Sequence, residues 1–445
     1  MTHLIANCQL PIGGARHIPQ LAIGNWQSTI GNPRLRWYNS GLMLWDPTYK
    51  PRLRPVEAFP LPEGDGVTIG VRDRSGLSGV MLSLSAPALH IMAMMDGEQT
   101  CDEICRLFHT SFGRPLVAGT LHSMVTHLDE AHFLEGPKFE EFYQSLLEEY
   151  RSRGIRDMPH AAAIGIVDGS GAIFEDMLAD ANGHVPSRTV IGVIAPHLDY
   201  PRGRPCYAAA YATLRDRPAP DRVVILGTNH FGRSTSVVAT GNDFSTPLGV
   251  SRIDTAFLDK LEARCGDLRT FELDHAREHS IELQVAWLQH LFGAEAFTIV
   301  PLLCPDPCGP TGASPVDGRG VDLREFAVAL AELVRNDAGD TLIVAGADLS
   351  HVGVQFGDER PLDDTFLEEV RQRDRRALDY LEVRDCEGFL RSVAEQDNPT
   401  RVCSAGCIFV LATAMHDASA SVLDYHQAVD SATQTCVTCA AVAFT

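Results

Sequence analysis

Val190-Ile191-Gly192-Val193-Ile194-Ala195-Pro196-His197-Leu198-Asp199-Tyr200 reads as a buried strand that stops at a histidine. The pattern returns twice. Val223–Leu226 runs into Gly227-Thr228-Asn229-His230-Phe231, and Thr341–Ala345 runs into Asp348-Leu349-Ser350-His351. Around these runs the spacing predicts strands at Val190–Ala195, Val223–Gly227, Phe297–Leu303 and Leu342–Gly346. Helical spacing at Tyr207–Leu214, Ile281–Phe292 and Leu323–Asn336 separates them; Leu362–Tyr380 adds a further helix. Ser421–Tyr425 and Thr435–Phe444 close the sheet. Repeated strand–helix–strand units predict an α/β fold, a largely parallel sheet with flanking helices. Ligands bind at the carboxyl ends of strands in such sheets. Three exposed-looking imidazoles, His197, His230 and His351, are thus expected at one edge, where they can converge on a metal ion or a substrate.

The composition bounds the rest. A chain of 445 residues predicts two or three domains, and 45% apolar with 21% charged residues is a globular composition. A formal charge of −21 argues against nucleic acid and against an anionic membrane surface as partners. No apolar run reaches the length needed to span a bilayer, and Met1–Cys8 lacks the basic start of a signal peptide. Twelve cysteines in such a chain read as free thiols in a reducing cytosol, so a cytoplasmic location is expected. Cys436-Val437-Thr438-Cys439 has metal-site spacing, but alternation along a strand points its two thiols to opposite faces.

Four stretches are expected: an irregular leader over 1–55, a compact module over 56–136, a helical linker over 137–187, and the α/β domain over 188–445. In the module, Val67–Val71 and Val80–Leu84 predict a hairpin, and Ser85–Met95 a helix stopping at Asp96-Gly97. Thr100 and Glu103 form a capping box for a second helix, and Leu116–Ala131 supplies a third. This is a small winged-helix-like α+β arrangement. Leu84-Ser85, Leu89, Met92, Asp96-Gly97, Thr100, Ile104, Leu128 and Phe133-Leu134 resemble the PqqD-like modules, peptide-binding domains found beside radical-SAM enzymes. Phe139–Arg153 then reads as an amphipathic, charge-laced helix.

The residues that carry chemistry lie in the second half. His197 and His230, at equivalent ends of successive strands, form a plausible ligand pair. Cys403 stands in Asn398-Pro399-Thr400-Arg401-Val402-Cys403-Ser404, a turn-rich stretch opening a helix, whose N-terminus favours the metal-binding thiolate. Glu278-His279-Ser280-Ile281-Glu282 starts another helix and puts His279 and Glu282 on one face. His351 suits proton transfer, since its ordinary pKa lies near neutrality. Asp348 and His279 can instead orient metal ligands by hydrogen bonds. A hydrolase triad is set aside, because no Gly-x-Ser-x-Gly elbow is present where it would be needed.

Seven ordered motifs resemble the Memo family, whose bacterial members are called AmmeMemoRadiSam system protein B. They are Pro196-His197-x-Asp199-Tyr200, Leu226-Gly227-x-x-His230, Thr246-Pro247-Leu248-Gly249, Glu278-His279-Ser280-Ile281-Glu282, Phe297-Thr298-Ile299-Val300-Pro301, Asp348-x-x-His351 and Asn398-x-x-Arg401-x-Cys403. Tyr425-x-Gln427-Ala428 is similar to a segment near the family's end. The resemblance implies a fold like that of the LigB-type extradiol dioxygenases. It also implies one mononuclear metal ion on His197, His230 and Cys403, with Asp348, His351 and His279 around it. Two positions depart from the family pattern: Asp199 and Ser404 stand where it has glycines.

Two histidines with a carboxylate suit iron(II) in dioxygenases, and a thiolate in place of the carboxylate makes a softer site for iron(II), copper or zinc. Three functions follow. The first is Memo-type redox or oxygen-related chemistry, linked to a radical-SAM partner or a peptide substrate. The second is an extradiol-type iron(II) dioxygenase. The third is a non-enzymatic adaptor binding peptide in an acidic concavity beside Tyr200, Trp287 and Phe231.

Overall fold

The computed structural model describes residues 46–61, 68–161, 165–166, 169–181, 188–309 and 312–445. The expected leader up to residue 45, Val67 of the expected hairpin, and residues 182–187 of the expected linker lie outside the described residues. Two compact units are present, with their boundary between Glu148 and Glu149. Among the described residues no helix is long and apolar enough to cross a membrane.

The first unit opens with strands β1 (Val56–Leu61), β2 (Thr68–Asp73) and β3 (Met81–Leu84), an antiparallel sheet in the order β1-β2-β3. The hairpin expectation lacked β1, whose edge position and mixed burial leave little alternation to read. Helices α1 (Ala86–Ala93), α2 (Cys101–Phe112), α3 (Ala118–Glu130) and the start of α4 (Pro137–Arg153) follow. Thr100 caps α2: its hydroxyl accepts the Glu103 N–H at 3.2 Å, and the Glu103 carboxylate accepts the Thr100 N–H at 2.8 Å. Val71, Leu84, Met92, Ile104, Leu121 and Phe133 form the centre of its core.

In the second unit β4 (Ile155–Asp157), α5 (Ala172–Leu178), β5 (Gly192–Ala195), α6 (Tyr200–Ala212), β6 (Arg222–Thr228) and β7 (Val238–Ala239) come first. Next are β8 (Asp243–Thr246), β9 (Gly249–Ile253), α7 (Thr255–Cys265), α8 (Glu282–Phe292), β10 (Thr298–Cys304) and α9 (Leu323–Asn336). The unit ends with β11 (Thr341–Gly346), β12 (Asp348–Gly353), α10 (Asp364–Glu382), α11 (Cys386–Ala394), α12 (Ala405–Ala414), β13 (Ala420–Asp430) and β14 (Thr435–Phe444). The sheet runs β12-β14-β5-β11-β6-β10-β9-β8-β4, with β13 on β14 and β7 on β10.

This sheet is mixed rather than largely parallel. Its centre, β5-β11-β6-β10-β9, is parallel. Antiparallel strands β14, β12 and β13 flank one side, and the β8–β9 hairpin the other. The central strands are buried on both faces, as unbroken runs such as Val223-Val224-Ile225-Leu226 require. Helix α9 buries Leu323, Phe326, Leu330 and Leu333, a stripe at helical spacing. Helix α6 begins seven residues before the expected Tyr207. Asp199 caps it by accepting the Arg202 N–H at 3.0 Å, and Pro201 sits in the first turn, where a missing N–H costs little. Asp199, one of the two departures from the family pattern, is thus a helix cap.

Strands β5 and β6 both neighbour β11, so their carboxyl ends and that of β11 meet at one edge. Two glycines bring a third segment onto this edge. A Cβ on Gly227 would fall 2.5 Å from Ser280 Oγ, and one on Gly346 would fall 2.3 Å from the Ser280 carbonyl oxygen. Residues 278–281 therefore pack directly on the strand ends. Ser280 Oγ accepts the Thr228 N–H at 3.0 Å and locks them there.

Candidate metal centre

His197, at the end of β5, and His230, after β6, face one another with ring centroids 4.8 Å apart. His279, carried by the segment that Gly227 and Gly346 admit, stacks on His230 at 5.2 Å and meets His197 edge-on at 5.4 Å. One ring nitrogen from each of the three lies within 4.8 Å of the others. Cys403 Sγ stands 3.6 Å from His197 Nε2. Neither His197 nor His351 is exposed, contrary to the expectation from sequence: they retain 1% and 2% of their surface. The third imidazole of the cluster is His279. His351 lies within β12, its Nδ1–H donating to the Leu349 carbonyl at 3.0 Å and its ring against Phe356.

Supporting hydrogen bonds set the tautomers. His197 Nδ1 lies 2.9 Å from the Gly346 carbonyl oxygen, so that nitrogen donates and Nε2 carries the lone pair. That lone pair faces Cys403 Sγ and, at 3.4 Å, Asp348 Oδ2. A proton, or a metal ion in its place, resolves this meeting of three electron-rich atoms. Asp348 Oδ1 accepts the His197 N–H at 3.0 Å and so fixes the turn after β5. His230 Nδ1 lies 3.1 Å from both Glu278 oxygens, which directs its Nε2 away from the carboxylate.

Glu278 also accepts the backbone N–H groups of His230, His279 and Ser280. Burial alone would raise its carboxyl, but the His230 and His279 imidazoles and these N–H groups outweigh burial. They hold it well below the usual carboxylate range. Burial pushes His279 down to about 3, so it is a neutral imidazole at neutral pH, the form that binds metal. Ser404, the other departure from the family pattern, accepts the Asp348 N–H at 3.1 Å and the Thr228 hydroxyl at 3.0 Å. It joins β12 to β6 beside Cys403.

An outer layer went unread in the sequence. Arg156, on β4, donates to the carbonyls of His275 and Glu278 and to the Glu282 carboxylate. His160 Nδ1 lies 2.7 Å from the other Glu282 oxygen, and its ring stands 5.9 Å from that of His279. No motif links these residues, since more than a hundred positions separate Arg156 and His160 from Glu282. Tyr200 and Trp287, expected beside a concave surface, are fully buried in an aromatic core with Tyr207 and Tyr211. Only Phe231 of that trio sits at the histidines, 5.6 Å from His230. Cys436 packs with Val352 and Phe366, and Cys439 belongs to the main core, as strand alternation requires.

Comparison with known proteins identifies the lineage. A family model described as Memo-like protein matches residues 172–443. The chain belongs to the Memo-like family. It is 24% identical over 355 residues to a MEMO1 family protein of Aquifex aeolicus, covering 79% of this chain and 87% of that one. A MEMO1 family protein of Thermus thermophilus is 30% identical over 326 residues, with 71% and 90% covered. One from Methanopyrus kandleri is 33% identical over 206 residues, with 46% and 64% covered. The alignments with the first two are too long to begin at residue 172. They reach into the chain before the Memo-like match, the part that supplies Arg156 and His160.

A pH prediction follows from the cluster. His275 is also pushed by burial to about 3, against an ordinary 6.5 for both histidines. The unfolded chain binds protons that the folded one refuses, so stability is full above pH 6.5 and is lost as pH falls toward 3. Glu278 acts in the same direction below its ordinary 4.5. The urea midpoint of the metal-free protein should decline steadily from about pH 7 to about pH 4.5. A flat midpoint over that range would contradict the burial of these imidazoles.

Proposed function

We infer that the Memo-like unit holds one transition-metal ion on His197 and His230, with Cys403 as third donor. The observation that carries this reading is the gathering of the His197, His230 and His279 ring nitrogens within 4.8 Å of one another at the carboxyl edge of β5, β11 and β6, with Cys403 Sγ 3.6 Å from His197 Nε2. Tetrahedral arms of roughly 2.0–2.1 Å to nitrogen and 2.3 Å to sulfur separate those atoms by about 3.6 Å. Cys403 Sγ and His197 Nε2 stand at that separation, 3.6 Å. The supporting partners are of the kind metal sites use: a carbonyl under His197 and a carboxylate under His230.

A bound iron(II) or copper ion would supply one-electron or oxygen-related chemistry, and two imidazoles with a thiolate suit either. Around it, Glu278 holds two imidazoles in orientation and Asp348 holds the turn bearing His197. A proton-transfer role for His351 is supported by its motif position. For the first unit, resemblance of its core positions to PqqD-like modules supports a surface for a peptide or a radical-SAM partner. The test is elemental analysis of protein purified with and without oxygen. One equivalent of iron or copper is expected in the anaerobic preparation. A chain that carries no iron, copper or zinc, and takes up none when they are supplied, would overturn the reading.

A further inference from the structure

We propose that the third donor of this centre is exchangeable, with the Cys403 thiolate and the His279 imidazole as alternative partners of the His197–His230 pair. The proposal rests on the metal-centre reading above and deepens it.

Three imidazoles gather at this edge, Cys403 Sγ stands beside one of them, His197, and the two candidate third donors are mounted differently. His279 sits on a fixed frame. The Ser280 side chain is bonded to Thr228, Glu278 accepts the His279 N–H at 2.8 Å, and Gly227 and Gly346 admit this segment onto the strand ends. Its ring nitrogen is within 4.8 Å of those of His197 and His230, so the nitrogen set has to draw in by about an ångström or more to bind an ion. Cys403 already stands at coordination distance from His197, but on a different kind of mount. The loop before it holds Gln396, Asp397, Asn398 and Arg401 at φ of 60°, 62°, 50° and 57°, a region that side chains with a Cβ occupy sparsely.

That loop is held by side-chain pins. Asn398 bonds both the N–H and the carbonyl of Val402, and Arg401 spans Asp358 at 2.8 Å and the His351 carbonyl at 3.1 Å. The sulfur rides on a strained, pinned loop and the imidazole on packed strand ends. Thiolate selects soft ions such as copper(I), whereas imidazole also serves harder divalent ions. One pocket can then hold a sulfur-ligated soft ion or an all-imidazole divalent one, by moving the loop rather than rebuilding the site.

The test uses the full chain loaded separately with cobalt(II) and copper(I), and the near-isosteric variants Cys403→Ser, His279→Gln and their double. Affinity is read by competition with a chelator, and sulfur ligation by the sulfur-to-cobalt charge-transfer absorption. Cys403→Ser should show no such absorption and should weaken copper(I) binding more than cobalt(II) binding. His279→Gln should do the reverse. Each single loss is expected to weaken the ion that prefers that donor by at least the roughly 10–100-fold that losing a supporting partner costs, with the other ion still bound, and the double variant should bind neither. Unchanged affinities in His279→Gln would overturn exchange and leave a fixed sulfur site. Unchanged affinities in Cys403→Ser would leave a fixed imidazole site. A wild-type chain that takes up neither ion overturns the metal reading itself.

Discussion

Arg156→Ala should lower the stability of the second unit by about 3–5 kcal/mol, the cost of stranding one member of a buried ion pair. Arg156 and Glu282 are 2% and 0% exposed at their side chains. The guanidinium spends its three nitrogens on the His275 carbonyl, the Glu282 carboxylate and the Glu278 carbonyl, and it stacks over Phe244. Removing it leaves Glu282 with His160 as its remaining side-chain partner and the Glu278 carbonyl without the guanidinium, while the His275 carbonyl keeps only backbone N–H donors. Arg156→Lys should recover little, because an ammonium cannot reproduce a planar fork serving three acceptors. Replacing both members by apolar residues of similar volume is expected to recover much of the loss, since desolvation of the pair is then never incurred. Chemical denaturation with and without added metal reads all three. A loss under about 1 kcal/mol in Arg156→Ala would place the pair in solvent and contradict a buried outer layer behind His279.

Why that layer was invisible in the sequence, while the strands were not, is a matter of range. Val223–Leu226 and Leu342–Gly346 are legible because a strand buried on both faces needs an unbroken apolar run, a local property. The β8–β9 hairpin has two short strands that mix polar and apolar residues, so alternation had little length to show itself. Two prolines hid the first turns of α6, although Asp199 supplied the cap. Asp348-Leu349-Ser350-His351 reads as the exposed end of the strand before it, yet a single residue, Ala347, separates β11 from a further strand, β12. The chain re-enters the sheet beside β14 and buries His351 there. His279 was placed near the centre by its motif, but its arrival beside His197 and His230 depends on two glycines fifty or more positions away. Such contacts are decided by packing, and nothing in the spacing of Glu278-His279 announces them.

His197→Ala should abolish metal binding at concentrations where the wild type is saturated, the largest functional effect expected of any single change in this chain. His197 is the residue on which every arm of the site converges. Its Nδ1 is committed to the Gly346 carbonyl, its Nε2 faces Cys403 and Asp348, and its ring is edge-on to both other imidazoles. Removing a supporting partner of a metal ligand costs roughly 10–100-fold in affinity, so removing the ligand common to both donor sets should exceed that range. His351→Ala is the matched control: an equally buried imidazole on β12, separated from β5 by β14, whose Nδ1 is turned to Leu349, expected to leave metal content nearly intact. Equilibrium dialysis against iron(II), copper(I) and zinc, with folding checked by circular dichroism, reads both variants. Metal retained in His197→Ala, or lost in His351→Ala, would move the centre to the β12 side of the edge and undo the ligand assignment.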